Sequence, residues 1–253
     1  MRRRQAFLRG WYDARMSICF IADLHLSPAR RDIERRLVDF LRGVQDCKTE
    51  SLFILGDLFD FWIGDDAADF LGHGPVLDAL RKTSDSGVRL FVMRGNRDFL
   101  LGDGFCRRSG AQLLDDPALV AVDGRRTVLC HGDSLCADDA AHQEFRRRTG
   151  DAEWRKKFLA RSLEERLALA QKARRQSAAG HHGKPAAALD VNAAAVEETF
   201  RRTEAEWMIH GHTHRPATHR HTVDGRECTR FVLGDWFGGE SVLRLGARSH
   251  LFA

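Results

Sequence analysis

Apolar residues along this chain gather in short runs, and between those runs they recur at helical spacing. Ser17–Ala22, Ser51–Leu55, Val88–Met93, Arg126–Cys130, Trp207–Ile209, Arg230–Leu233 and Ser241–Leu245 are apolar and bounded by Gly or Asp, which predicts buried strands. In Arg31–Cys47, residues Ile33, Leu37, Val38, Leu41 and Val44 share one helical face; Val76, Leu77 and Leu80 do the same in Pro75–Ser86. Strand–helix alternation through the first half argues for an α/β fold with mostly parallel strands there. The later strands lie closer together, and Asp224-Gly225 supplies the turn signal of a hairpin.

Residues 140–195 differ in kind. They favour helix, are rich in Arg and Ala, and are broken at Gly180-His181-His182-Gly183-Lys184-Pro185. A segment of that length cannot build an independent core. It reads as a helical lid inserted above a site, within one domain spanning residues 16–253. Trp154, Phe158, Leu159, Leu163, Leu167 and Leu169 form the apolar stripe expected to pack it onto the body.

Composition adds limits. The 253 residues, 43% hydrophobic, are enough to bury most of their apolar surface in one core. A net charge of +4 says little, but Glu144–Arg175 carries eleven Lys or Arg against five Asp or Glu. That basic segment suits a phosphate-rich partner or an anionic membrane surface; the plainer reading is a solvated helix face. The six cysteines form no C-x-x-C pair, which fits reduced thiols in a cytosolic protein. No apolar run approaches the ~18 residues of a spanning helix. Residues 1–15 lack the apolar region of a signal peptide, and Met16 directly precedes the first strand, so residues 1–15 are read as a dispensable extension.

Five polar groups directly follow expected strands: Asp23-Leu24-His25, Gly56-Asp57-Leu58-Phe59-Asp60, Gly95-Asn96-Arg97-Asp98, His131-Gly132-Asp133 and His210-Gly211-His212-Thr213-His214. Strand carboxyl ends are where α/β folds place ligands. One His beside an apolar run is usually structural. Five such groups together make a dinuclear metal centre the leading hypothesis, and hydrolysis of phosphate esters or anhydrides its chemistry, because two cations can clamp both oxygens of an in-line displacement. Imidazole with carboxylate suits Mn, Fe, Zn or Ni better than Ca. Asp57, directly after the Gly that ends its strand, is the expected bridge. His210, at a strand end, is read as a core or supporting residue, and His142, His181, His182, His219 and His221 fall outside the pattern.

The D-x-H, G-D-x-x-D, G-N, H and G-H-x-H groups resemble those of the calcineurin-like metallophosphoesterases from residue 17 to about 240. The resemblance implies a sandwich of two mixed β-sheets flanked by helices. It also implies two divalent ions, with Asp23, His25 and His214 around one, Asn96, His131 and His212 around the other, and Asp57 between them. Most of that superfamily has a His after the Asn; here Arg97 stands there. An alkoxide of high pKa leaves more easily with a proton donor, whereas a phosphate leaving group is better served by a guanidinium that neutralises spreading charge. Arg97 therefore suggests a pyrophosphate link.

The longer phrases at residues 55–66, 95–100, 131–139 and 210–216 are similar to those of the UDP-2,3-diacylglucosamine hydrolases of lipid A biosynthesis. That resemblance implies water attack on the pyrophosphate, release of UMP and 2,3-diacylglucosamine 1-phosphate, Mn(II) as the usual metal, and a lid that holds two acyl chains. It implies catalytic roles for Asn96, Arg97 and Asp57, and substrate contacts from Asn96, Arg97, Asp139, Ser177, His181, Lys184 and His212. A diacyl substrate must be collected from a bilayer, so the enzyme is expected on the cytoplasmic face of the inner membrane as a peripheral protein. No nucleic acid and no obligate protein partner are expected. The family commonly has Asn where His181 stands and Glu where Asp60 stands. Without the resemblance, Asp138 and Asp139 read as helix caps, and Ser177 and Lys184 as loop chemistry. Two other readings stay open. A relative acting on a soluble nucleotide or phosphodiester would have no contiguous apolar chamber under its lid, and a protein-binding scaffold would not need an intact ligand set.

Overall fold

The structure, a computed structural model, describes residues 17–47, 49–181, 190–246 and 250–252. The expected extension and Lys184 lie outside them. In chain order the elements are β1 (Ile18–Ile21), α1 (Arg31–Asp46), β2 (Ser51–Leu55), α2 (Gly74–Asp85), β3 (Arg89–Met93), α3 (Asp103–Ser109), β4 (Gln112–Leu114), β5 (Ala118–Val122), β6 (Arg125–Leu129), α4 (Ala140–Gly150), α5 (Ala152–Leu159), α6 (Leu163–His181), α7 (Ala193–Thr203), β7 (Trp207–His210), β8 (Ala217–Val223), β9 (Arg226–Val232), β10 (Val242–Leu245) and β11 (His250–Phe252).

Two sheets result. One has the order β11-β10-β1-β2-β3-β4, the other β5-β6-β7-β9-β8. β1 to β4 run parallel, as the strand–helix alternation predicts, and β10 joins β1 antiparallel. The Asp224-Gly225 turn closes an antiparallel hairpin in which Val223 pairs with Arg226. β1 and β2 are buried at every position, because each sheet is covered on both faces. Phe20, Phe53 and Phe91 from three adjacent strands stack at 5.0 and 4.7 Å. They meet Val120, Leu129, Ile209 and Leu233 of the second sheet in a shared core. Each such side chain contributes roughly 1.5–3 kcal/mol on burial. α1 covers the outer face of the first sheet with Ile33, Leu37, Phe40, Leu41 and Val44, and α7 covers the second with Val196 and Phe200.

Four strands lie outside the expected runs: β4, β5, β8 and β11; β9 also begins at Arg226 instead of Arg230. β8 is an edge strand whose His219, Arg220 and Thr222 are exposed, so pairing to β9 defines it and hydrophobicity does not. β4 pairs only three residues at the opposite edge of its sheet.

α4 to α7 lie between β6 and β7 in sequence. The expected packing stripe is only partly one. Trp154, Phe158, Leu163 and Leu167 join the main core, whereas Leu159 and Leu169 are 42% and 41% exposed. Two ion pairs fasten α6 to the loop after β2. The buried Arg166 donates to both carboxylate oxygens of Asp66 at 2.9 and 2.6 Å and to Ile63 O at 2.8 Å; Arg174 donates to Asp60 at 2.8 Å. Two of the basic residues expected on a solvated face or against a partner are therefore structural clamps. All six cysteines are free, and no helix among the described residues is long and apolar enough to cross a membrane.

Candidate metal centre and active site

The polar groups after β1, β2, β3, β6 and β7 converge on one rim of the two sheets. The approach is close where Asp57 and Asn96 meet. Gly56 has φ +90°, and a Cβ there would lie 2.8 Å from Gly95 Cα and 2.6 Å from His131 Nδ1. Only glycine permits it. Asp98, fully buried, holds the two loops together. Its carboxylate accepts from the backbone N–H of Gly95 at 2.8 Å, Leu58 at 2.8 Å, Asp57 at 3.2 Å and Phe59 at 3.3 Å. Asp23, His25, Asp57, His212 and His214, five of the seven expected ligands, sit at φ between 50° and 68°. That left-handed region is costly for a residue with a side chain and characteristic of functional sites.

All seven side chains come together. Asp23, His25 and His214 bring one ligand atom each within 4.8 Å of one another, and so do Asp23, Asp57 and His131. Asn96 Oδ1 lies 3.0 Å from both His131 Nε2 and His212 Nδ1. Asp57 stands between the two groups, 3.7 Å from His131 Nε2 and 3.9 Å from His25 Nδ1. Outer contacts aim the rings. His131 Nδ1 donates to Leu55 O at 2.9 Å, which turns the Nε2 lone pair inward, and His214 Nδ1 faces Asp235 at 3.2 Å. His210 takes no part; its ring is tied to Gly211 O at 2.9 Å and to Arg230 at 3.0 Å.

The chemistry of this cluster fits a pair of divalent cations. Among the described residues, the buried Asp23 Oδ1 and His25 Nδ1 have no hydrogen-bond partner, and the Nε2 atoms of His25 and His214 face each other at 3.1 Å. Burial, with the Asp98 and Asp23 carboxylates, outweighs His131 and Arg97 and pushes Asp57 up to about 7. Burial would lower His131, yet Asp57, Asp23 and Asp133 outweigh it and raise the ring to about 9. Burial takes His25 down to about 3, leaving a neutral imidazole suited to ligation. Carboxylates that must share protons at a fully buried site gain most from cations.

The expected substrate residues divide. Asn96, Arg97, Asp139 and Ser177 line a groove of about 860 Å³ beside the cluster, bounded on its apolar side by Phe61, Trp62, Ile63, Leu100, Trp154 and Phe158. His212 lies at the cluster itself. Asp139 also caps α4, accepting from His142 N at 3.2 Å, while Asp138 accepts from Asn192 at 2.9 Å. His181 ends α6, with its side chain outside the described atoms, as is Lys184. Arg97 Nε lies 3.9 Å from Asp57, buried without a hydrogen-bond partner among the described residues.

The strand-end pattern leaves out His142, whose ring lies against His212 at 5.3 Å and whose Nε2 is 3.5 Å from Asp133. It also leaves out Arg146, which spans Asp133 and Asp116 at 3.1 and 3.3 Å. Burial would raise Asp133, but His142, His131 and Arg146 hold it below the carboxylate range. Both residues sit on α4, away from any motif; only the neighbouring Asp133 hinted at a partner.

A calcineurin-like phosphoesterase family pattern matches residues 16–216. UDP-2,3-diacylglucosamine hydrolase of Stenotrophomonas maltophilia (strain K279a) is 46% identical over 239 residues, covering 92% of this chain and 96% of its own length. The protein of the same name from Xanthomonas oryzae pv. oryzae (strain PXO99A) matches with the same identity and coverage. Ligand geometry, family pattern and relatives agree: this chain belongs to the calcineurin-like phosphoesterases and, within them, to the family of the UDP-2,3-diacylglucosamine hydrolases.

Proposed function

We propose that this chain hydrolyses the pyrophosphate bond of UDP-2,3-diacylglucosamine to UMP and 2,3-diacylglucosamine 1-phosphate. One observation carries the substrate: the groove opens at Asn96 and Arg97 and is walled by Phe61, Trp62, Ile63, Leu100, Trp154 and Phe158. A soluble nucleotide has no use for an apolar chamber of about 860 Å³ beside its reacting phosphates, whereas two acyl chains do. The helices α4 to α6 then act as a lid, fastened by Arg166 and Arg174.

Asp23, His25, Asp57 and His214 would hold one divalent ion, and Asp57, Asn96, His131 and His212 the other; this mixed nitrogen and oxygen set suits Mn, Fe, Zn or Ni, and the family resemblance makes Mn(II) the first choice. When bound, such a pair supplies charge neutralisation on the phosphates and the acidity that turns water into a nucleophile. The protein's own groups do the rest. Arg97 is permanently cationic and reaches phosphoryl oxygens as charge builds on the departing phosphate. Asn96 offers its amide N–H groups on the side away from His131 and His212. His142, steadied by Asp133, buttresses the His212 ring. Asp139, Ser177, His181 and Lys184 are assigned to the sugar and phosphate of the substrate. The exposed Leu169 lines the groove together with Lys157, Arg161 and Lys172, which supports a peripheral seat on anionic lipid.

Incubation with UDP-2,3-diacylglucosamine and Mn(II), followed by separation of the products, tests the reading: UMP and the lipid 1-phosphate should appear together. Comparable turnover of a soluble UDP-sugar would overturn the substrate assignment. Asp57→Ala should lose both turnover and bound metal by elemental analysis, and retention of either would remove the two-ion arrangement.

A further inference from the structure

We propose that the uridine of the substrate docks in a second cavity, of about 220 Å³, which shares Asn96, Phe99 and Phe145 with the apolar groove and is lined on its polar side by Arg94, Arg155 and Asp115. The inference rests on the pyrophosphatase reading above. A pyrophosphate joins two dissimilar arms, so a site that cleaves it must house both and bring them together over the reacting atoms. The groove suits the lipid arm. The smaller cavity meets it at Asn96, whose Oδ1 sits between His131 and His212 at 3.0 Å from each. A substrate spanning the two cavities therefore carries its pyrophosphate across the ligand cluster.

The lining matches a nucleoside better than a second phosphate. Arg94 uses its Nε on Leu101 O at 2.6 Å, and Arg155 uses its Nε on Thr149 O at 2.6 Å. Their terminal nitrogens make no hydrogen bond or ion pair among the described residues. Arg94 and Arg155 line the same cavity, and burial with the Arg94 charge holds the Arg155 guanidinium below its ordinary pKa. Asp115, exposed at the rim, is likewise free of side-chain hydrogen bonds among the described residues. Guanidinium N–H groups suit the two carbonyl oxygens of uracil, and a carboxylate suits its N3–H. Phe99 and Phe145, edge to face at 5.8 Å, supply an aromatic wall for the base.

Calorimetric titration of the Mn(II)-supplied protein with UMP and with ribose 5-phosphate tests this, because the two probes share a phosphate and differ by the base. Wild type should bind UMP at least tenfold more tightly than ribose 5-phosphate. Arg155→Ala and, separately, Asp115→Asn should erase most of that preference and leave ribose 5-phosphate binding unchanged. Asp115 is exposed, so its variant carries no folding penalty, and thermal melting checks the other. Equal binding of the two probes by wild type would overturn the proposal. So would an intact preference in both variants, or loss of the preference in Phe237→Ala, which alters the exposed ring stacked on His25 at the opposite ion site. The binding readout is separate from turnover. UMP preference without cleavage of the diacyl substrate would sink the pyrophosphatase reading and leave the pocket standing, and cleavage without preference would do the reverse.

Discussion

Asp98 should be indispensable although it touches no reacting atom. It is wholly buried, and its two carboxylate oxygens satisfy four backbone donors: Oδ1 accepts from Asp57 and Gly95, Oδ2 from Leu58 and Phe59. Asp98→Ala leaves four N–H groups buried without acceptors. At roughly 1–3 kcal/mol for each unmet group, the loss is at least about 4 kcal/mol, a large part of the 5–15 kcal/mol that holds an ordinary domain together. Asp98→Asn is the informative variant. Asn keeps one oxygen and two of the bonds, and turns an NH₂ group toward the other two donors. Burial also raises the Asp98 carboxyl pKa against the pull of its N–H donors, so removing the charge returns some stability. The net expected loss is about 2 kcal/mol, or about 4–8 °C in Tm for a domain of this size. Urea unfolding with chelator and with Mn(II) measures it. The loops joined by Asp98 carry Asp57 and Asn96, so the stabilisation conferred by Mn(II) should also shrink in the variant. An Asp98→Asn protein within about 0.5 kcal/mol of wild type, with unchanged Mn(II) stabilisation, would refute the reasoning.

Arg97→Ala should lower kcat/KM by well over tenfold, a few kcal/mol of transition-state stabilisation, with Arg97→Lys recovering part of it; an unchanged rate would remove the guanidinium from the reaction. Arg166→Met, which breaks the Asp66 and Ile63 clamp, should raise KM for the diacyl substrate about tenfold with little change in kcat, and equal losses in both would mean that the lid serves chemistry more than binding. His73, packed against Phe59 and Trp62, is held down to about 4 by burial and by Arg31. Below its ordinary value near 6.5 the unfolded ring binds a proton and the folded ring does not. Stability should therefore fall by about 3 kcal/mol as the pH drops from 6.5 to 4, and His73→Phe should flatten that slope in denaturant titrations at each pH.

What could be read from the sequence was whatever a strand announces about its own end. Each expected ligand follows a buried apolar run, so Asp23, Asp57, Asn96, His131 and His212 were visible as candidates before any pairing was known. The helical face of α1 and the Asp224-Gly225 hairpin are local signals of the same kind. What escaped depends on partners distant in the chain. β8 is a strand because β9 lies beside it, and its own Thr-His-Arg-His sequence is that of an exposed edge. Arg166 and Asp66 are 100 residues apart and become a clamp only after the lid folds over the loop after β2. His142 falls outside the strand-end pattern, and only the fold sets it against His212. Leu159 and Leu169 shared a pattern with Leu163 and Leu167, and helical spacing could not say which of them would be left in solvent.

The left-handed backbone at five ligands also bears on how such a site can be lost. Glycine is the residue that occupies that conformation most easily, and glycine has no ligand atom. For Asp23 or Asp57, a single base change in an aspartate codon yields glycine, which would relax the chain and delete the ligand together. Selection for stability alone therefore pushes these positions toward an inert scaffold, and only continued demand for the reaction keeps aspartate and histidine there. A descendant freed from that demand should show its release first as glycines at residues 23 and 57, while the two sheets stay intact.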